Sequence, residues 1–197
     1  MVAKCLKKIL LLLFITGAIQ ANAQEGKKSE LQQWKDFIEN ARLIARQERH
    51  LMDSIVHIKA ENALQRKEFV LESDELTLKH GEHGYVNSTT NFIALHDGRA
   101  TVQISPFQSG GGPNGVGGIT VEGTPTGLTM ETDKKGITRL SMNVTENGIS
   151  AQVTVTLSPS DNRATATIIP NFNSLNVTLD GQLVPFKESS VFKGTTF

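Results

Sequence analysis

Gly110-Gly111-Gly112-Pro113-Asn114-Gly115 has the GxGxxG spacing of a phosphate-binding loop. Such a loop works when a helix N-terminus follows it directly and presents free N–H groups. Here Val116–Val121 reads as a strand and Pro113 removes an amide donor, so a hairpin loop is expected instead. His80-Gly-Glu-His83 brings two imidazoles and a carboxylate together, with His96 as the one candidate third ligand. A metal site needs three fixed donors on ordered backbone, and this flexible segment reads as an exposed polar loop, so no metal and no cofactor is assigned. His50 and His57 fit a hydrophilic helix flank. Glycoside hydrolysis needs two positioned carboxylates, and Glu72, Asp74, Glu75, Glu122 and Glu131 lie on expected strands, mostly facing solvent. No Gly-x-Ser-x-Gly, His-Glu-x-x-His or P-loop sequence occurs, and no catalytic residue is assigned. Asn87-Ser-Thr, Asn143-Val-Thr and Asn176-Val-Thr are glycan acceptors only in a eukaryotic secretory pathway. Asp53-Ser54-Ile55 has the form of a short bacterial O-glycan acceptor.

The elements that would position these residues begin with an address. Lys4, Lys7 and Lys8 precede an apolar run from Ile9 to Ile15, and Ala21-Asn22-Ala23 supplies small residues at a cleavage site. This is the three-part form of a secretory signal, too short for a permanent span of about 20 residues. Residues 1–23 are therefore expected to leave, with Gln24 opening the exported chain. Cys5 precedes the apolar run rather than following it, so no lipid anchor is expected. The remainder holds no cysteine, which removes disulfides and thiol chemistry together. It carries 17 basic and 20 acidic residues, and this mild acidity argues against a nucleic-acid partner.

Residues 24–68 hold 17 charged residues in 45, whereas residues 69–197 hold 20 in 129. In the first stretch the apolar residues Leu31, Trp34, Ile38, Ala41, Ile44 or Ala45, Leu51 or Met52, Ile55 and Ile58 recur in steps of three and four, with an imperfection near Gln47-Glu48. That spacing predicts one amphipathic helix over residues 24–67, with Ser29 as its N-cap. From about residue 30 to 66, at 1.5 Å per residue, it would be roughly 55 Å long. Leu31, Trp34, Ile38 and Ala41 form its candidate interaction face, open to self-association.

Beyond Phe69 the period becomes two. Ala151, Val153, Val155 and Leu157 alternate with Ser150, Gln152, Thr154, Thr156 and Ser158, and six other segments alternate similarly. Asp97-Gly98, Gly123 to Gly127, Asp133 to Gly136, Asn147-Gly148, Ser160 to Asn162 and Asp180-Gly181 supply turn signals. The expected fold of residues 68–197 is mainly β. It is an antiparallel meander of about nine strands forming a small barrel or flattened sandwich, preceded by the long helix.

Several segments also carry a family resemblance. They are Lys67-Glu68-Phe69-Val70-Leu71-Glu72-Ser73-Asp74, Asn91-Phe92-Ile93, Ala100 through Phe107, and a glycine-rich stretch closing on Gly117-Gly118-Ile119. In this order, after a signal and a charged helix, they resemble the secreted Bacteroidetes proteins grouped as domain-of-unknown-function family 4251. The resemblance implies a bacterial envelope or secreted protein and transfers no functional residues. Family members often carry an aromatic and a basic residue in the glycine loop, a pattern from which this chain departs.

Together these readings describe an exported, periplasmic or extracellular protein that is a non-catalytic binding or interaction module of the bacterial envelope. Its partner would be a small molecule or an envelope protein. A lipocalin-like carrier of a small apolar ligand is the alternative, and an envelope hydrolase a third reading. Phe107, Gly111, Gly112, Asn114, Gly117 and Gly118 form the candidate ligand or partner loop.

Overall fold

The computed structural model describes residues 2–105, 118–146, 148–171 and 176–193, with side chains from Ser29 onward except at 149. Helix α1 spans Val2–Arg66. The expected N-cap at Ser29 lies inside it: no proline interrupts the flanking sequence, so nothing forces the helix to start there. The chain divides into two compact units, Met1–His50 and Leu51–Phe197. In the first unit α1 leaves Leu31, Trp34, Phe37, Ile38, Leu43 and Ile44 exposed, with Trp34 and Phe37 edge to face.

Among the described residues, the second unit holds the last turns of α1 and ten strands. These are β1 (Phe69–Leu78), β2 (His83–Tyr85), β3 (Phe92–His96), β4 (Arg99–Ile104), β5 (Ile119–Gly123), β6 (Pro125–Thr132), β7 (Thr138–Glu146), β8 (Ile149–Leu157), β9 (Arg163–Pro170) and β10 (Val177–Pro185). All pair antiparallel in the order β5-β4-β3-β1-β10-β9-β8-β7-β6, with β2 added to β1. The first and last strands are neighbours, and every other neighbouring pair is a hairpin except β1–β3, whose connection carries β2.

The two edges of this sheet, β5 and β6, are consecutive in sequence, separated by Thr124 alone. The sheet therefore curls until its ends nearly meet, as a nearly closed barrel. The Glu146 carboxylate accepts the Glu122 N–H at 2.8 Å, so a side chain bridges the gap. At Gly123 a Cβ would stand 2.1 Å from the Thr145 carbonyl oxygen, so glycine is what lets β5 approach β7.

Alternation delivers the core. Leu140, Met142 and Val144 of β7, Val153, Val155 and Leu157 of β8, Ala164, Ala166 and Ile168 of β9, and Leu179 and Leu183 of β10 are all buried together. Ala60, Ala63 and Leu64 of α1 join the same cluster. Mixed small and branched side chains let the interior fill itself, as in other small barrels. A second, smaller cluster lies on the outer face of β1 and β3, where Val70, Phe92 and Ala94 are covered by Val184 of β10 and by Phe186 and Val191 of the C-terminal tail.

The turn expected at Asp180-Gly181 does not form, because β10 runs straight through it. The glycine there answers a different need. Opposite it β1 carries a bulge between Ser73 and Glu75, and a Cβ on Gly181 would stand 1.9 Å from the Glu72 carbonyl oxygen. Ser73, fully buried, steadies the bulge by donating to the carbonyls of Glu75 at 2.7 Å and Asp180 at 3.1 Å.

Helix α1 ends in a paired cap: the Glu68 N–H reaches the Ala63 carbonyl and the Lys67 N–H the Leu64 carbonyl, both at 3.0 Å. Lys67 sits at φ 59° in this cap, a left-handed conformation that costs a side chain about 1 kcal/mol. Lys67→Gly is therefore expected to raise stability by roughly 0.5–1 kcal/mol, read as a higher denaturation midpoint with an unchanged slope. A lower midpoint would contradict this account of the cap.

Candidate outer-face recognition site

The barrel shows two different outer faces. Over β1, β3 and β4 the tail is strapped down. Phe186 donates its N–H to the Glu68 carbonyl at 3.0 Å, Phe192 donates to the Thr89 carbonyl at 2.8 Å, and Ser189 Oγ donates to Glu72 at 2.6 Å. Gln103, wholly buried, donates to the carbonyls of Thr90 and Phe192 and accepts from Thr120 Oγ1.

Lys193 and Arg99 both pair with Glu122, whose carboxylate is 14% exposed. The Lys193 hydrogen bond, opposed by burial and aided by Arg99, holds the Glu122 carboxyl below its ordinary range. A depressed folded-state pKa stabilises above the unfolded value near 4.5, and that stabilisation is lost as pH falls through the lower folded value. Acidification below pH 4.5 is thus expected to loosen residues 189–193 before the barrel melts, read by hydrogen exchange of the tail. In Glu122→Gln the tail should already be loose at pH 7; tail protection unchanged from wild type would count against the clamp.

Strands β6 to β10 carry a hydroxyl-rich face instead. Thr129, Ser141, Thr154, Thr167, Thr178 and Thr77 lie side by side across β6, β7, β8, β9, β10 and β1. At 4.7–4.9 Å between strands this row runs roughly 24 Å. A parallel row holds Arg139, Thr156, Thr165, Asp180 and Glu75, ending beside Tyr85, which is 80% exposed.

An open cleft of about 320 Å³ lies at this second row, lined by Thr156, Ser158, Arg163, Thr165 and Asp180 with Ile137, Leu157, Pro159 and Ala164. The β1 bulge turns Asp74 toward it. Arg163 Nη1 donates to Asp74 Oδ2 at 2.7 Å, and this hydrogen bond, with further attraction from Glu75 and Asp180, raises the guanidinium above its ordinary range. Thr165 Oγ1 donates to Asp180. Asp74 Oδ1 is buried and finds no donor among the described residues. One cation among three carboxylates, flanked by hydroxyls, can receive hydrogen bonds from a polyhydroxylated molecule.

The residues named from sequence fall apart in space. Among the carboxylates, Glu72 holds the tail, Asp74 reaches Arg163, Glu75 lies 3.9 Å from His83, Glu122 serves the clamp, and Glu131 faces Arg139 across β6 and β7. His83 is opposite Thr77 and Leu95 opposite Phe69, so His96 stands roughly 25 Å along β1 from His83. His96 is therefore out of reach as a shared ligand. Its ring stacks on Phe186 with centroids 3.8 Å apart, and Nε2 lies 3.1 Å from Asp97. Glu68, His96 and Asp97 do bring ligand atoms within 4.8 Å of one another, and the ring stacking and the contact between the neighbours His96 and Asp97 account for that approach by packing. His57 is more than a helix flank: its Nδ1 meets the Asp161 carbonyl at 3.0 Å and ties α1 to the β8–β9 hairpin.

Phe107, Gly111, Gly112, Asn114 and Gly117 lie outside the described residues. Gly118 is described, and a Cβ there would stand 1.7 Å from the Ile104 carbonyl oxygen, so close backbone approach explains this glycine. Arg163 escaped sequence reasoning. The signal for its partner was present in Glu72-Ser73-Asp74-Glu75, four polar residues that break the alternation of β1.

The architecture defines the chain as an antiparallel, nearly closed β-barrel protein with an N-terminal helix. The family model for the domain of unknown function DUF4251 matches residues 56–183. The chain belongs to that family. It is similar to a solved DUF4251 family protein from Bacteroides eggerthii, 41% identical, with 72% of this chain and 99% of that one covered and a TM-score of 0.62. Nothing among curated proteins matches the chain. Among the described residues no helix is long and apolar enough to cross a membrane.

Proposed function

We propose that this protein is an exported, non-catalytic binding module of the bacterial envelope, and that it takes a polyhydroxylated ligand, a saccharide, on its outer face. The observation that carries the reading is the division of labour in the barrel. Its interior is occupied by its own buried side chains, while its polar groups converge outside, at Arg163, Asp74, Thr165 and Asp180. Sugar hydroxyls are both donors and acceptors, and carboxylates, a guanidinium and threonine hydroxyls offer complementary partners. A carrier of an apolar molecule would need an enclosed apolar cavity of roughly 300 Å³ or more, and the interior cluster argues against one. A hydrolase would need an acid free to exchange its proton, yet Asp74 is held by Arg163 and Asp180 by Thr165.

Binding of soluble envelope polysaccharide fragments tests the reading. Retention should fall at least about tenfold in Arg163→Ala and in Asp74→Asn, the loss expected when a charged recognition group is removed. Equal retention by both variants would reject the cleft. The export reading is tested separately: N-terminal sequencing of protein recovered from the envelope should begin at Gln24, and a chain beginning at Met1 in the cytoplasm would overturn it.

A further inference from the structure

Among the described residues, the first unit leaves its large apolar side chains without cover. Trp34 and Phe37 are 65% and 64% exposed, Ile44 is 56% exposed, and Ile38 and Leu43 are open as well. Their placement is ordered rather than scattered. Trp34, Phe37, Ala41 and Ile44 follow one another by steps of three, four and three, and Phe37, Ile44, Leu51 and Ile58 recur every seven residues. This spacing is that of a coiled-coil seam. The exposed area, on the order of 500 Å² in the first unit alone, is at the upper end of what monomers leave open.

We infer that this seam pairs with the same seam of a second copy of the chain. Charge selects that occupant. Gln33, Asn40 and Gln47 flank the seam on one side, and Ile38 and Ala45 on the other, so the flanks of two copies meet without like-charge repulsion. Residues 29–50 carry four acids and four bases and are neutral overall. An anionic lipid surface or a strongly charged partner would instead call for flanks of one sign. Large Trp34 and Phe37 beside small Ala41 supply the knobs and the hole for close packing. Glu30 and Glu48, both at seam positions, are the charges in this part of the stripe and limit the strength of the pair.

Sedimentation equilibrium of the full chain, purified from its own envelope, tests the inference. At about 50 µM the protein should have twice the chain mass and should dissociate on dilution. Phe37→Glu with Ile44→Glu should be monomeric throughout, while Glu48→Leu should dissociate at concentrations at least tenfold lower than wild type. The thermal melt of the β barrel should be unchanged in both variants, which separates loss of pairing from loss of folding. A monomeric wild type, or a double variant that keeps the wild-type mass, would overturn the inference. So would a wild-type assembly whose extra mass is a different protein, or flotation with phosphatidylglycerol vesicles abolished by the same two substitutions.

Discussion

Gly181→Ala is expected to cost about 3 kcal/mol or more of folding stability, through overpacking against rigid backbone. A Cβ at 181 would stand 1.9 Å from the Glu72 carbonyl oxygen and 2.6 Å from the Ser73 Cα, and neither atom belongs to a side chain that can swing away. Relief requires β1 and β10 to separate at the centre of the sheet, where the bulge turns Asp74 toward Arg163. The melting temperature should therefore fall by roughly 6–12 °C, and saccharide retention should fall with it at temperatures where the barrel is still folded. Gly148→Ala is the control. Gly148 sits at φ 84° with nothing within 4 Å of its Cβ position, so only the backbone strain of about 1 kcal/mol applies. A Gly181 variant no worse than the Gly148 variant would show that the bulge does not depend on close approach.

Leu179→Ala is the second large effect, expected to destabilise by about 2–5 kcal/mol. Leu179 is fully buried on β10, opposite Leu76 of β1 and Ala166 of β9. Strands on both sides are fixed by continuous pairing, so the interior has little freedom to collapse into the space left behind. The cost should appear as a shift of the urea midpoint at constant slope. A loss below about 1 kcal/mol would mean that the barrel interior is loose, and it would revive the reading of the protein as a carrier.

These two residues also mark how far the sequence reaches. Leu179 could be placed in the core by alternation alone, as could Val153, Val155 and Leu157, because a period of two assigns faces directly. The helix end and a fold of about nine strands followed from equally local signals. Gly181 was misjudged by the same local logic. Asp-Gly is a strong turn signal, but here the glycine serves a neighbour over a hundred residues away, a requirement that no window around it contains. The pairing of β1 with β10 is likewise non-local, and so is the choice of barrel over sandwich, which rests on β5 and β7 meeting at Gly123 and Thr145. The candidate site was the least legible part. Asp74 was noticed as a carboxylate, but Arg163 lies on β9 and joins it only through the strand order β1-β10-β9. The candidate loop from Phe107 to Gly118 came from glycine content, which reports conformational freedom and carries no chemistry of its own.

The central claim is that the barrel is filled and that recognition takes place outside it. Amide and methyl NMR of the protein, titrated with soluble fragments of its own envelope polysaccharide, addresses that claim directly. The account predicts shifts gathered at Thr156, Arg163, Thr165 and Asp180, with the interior methyls of Leu140, Val153 and Leu179 unmoved. A spectrum indifferent to every fragment, or interior methyls that move when a fatty acid is added, would contradict it.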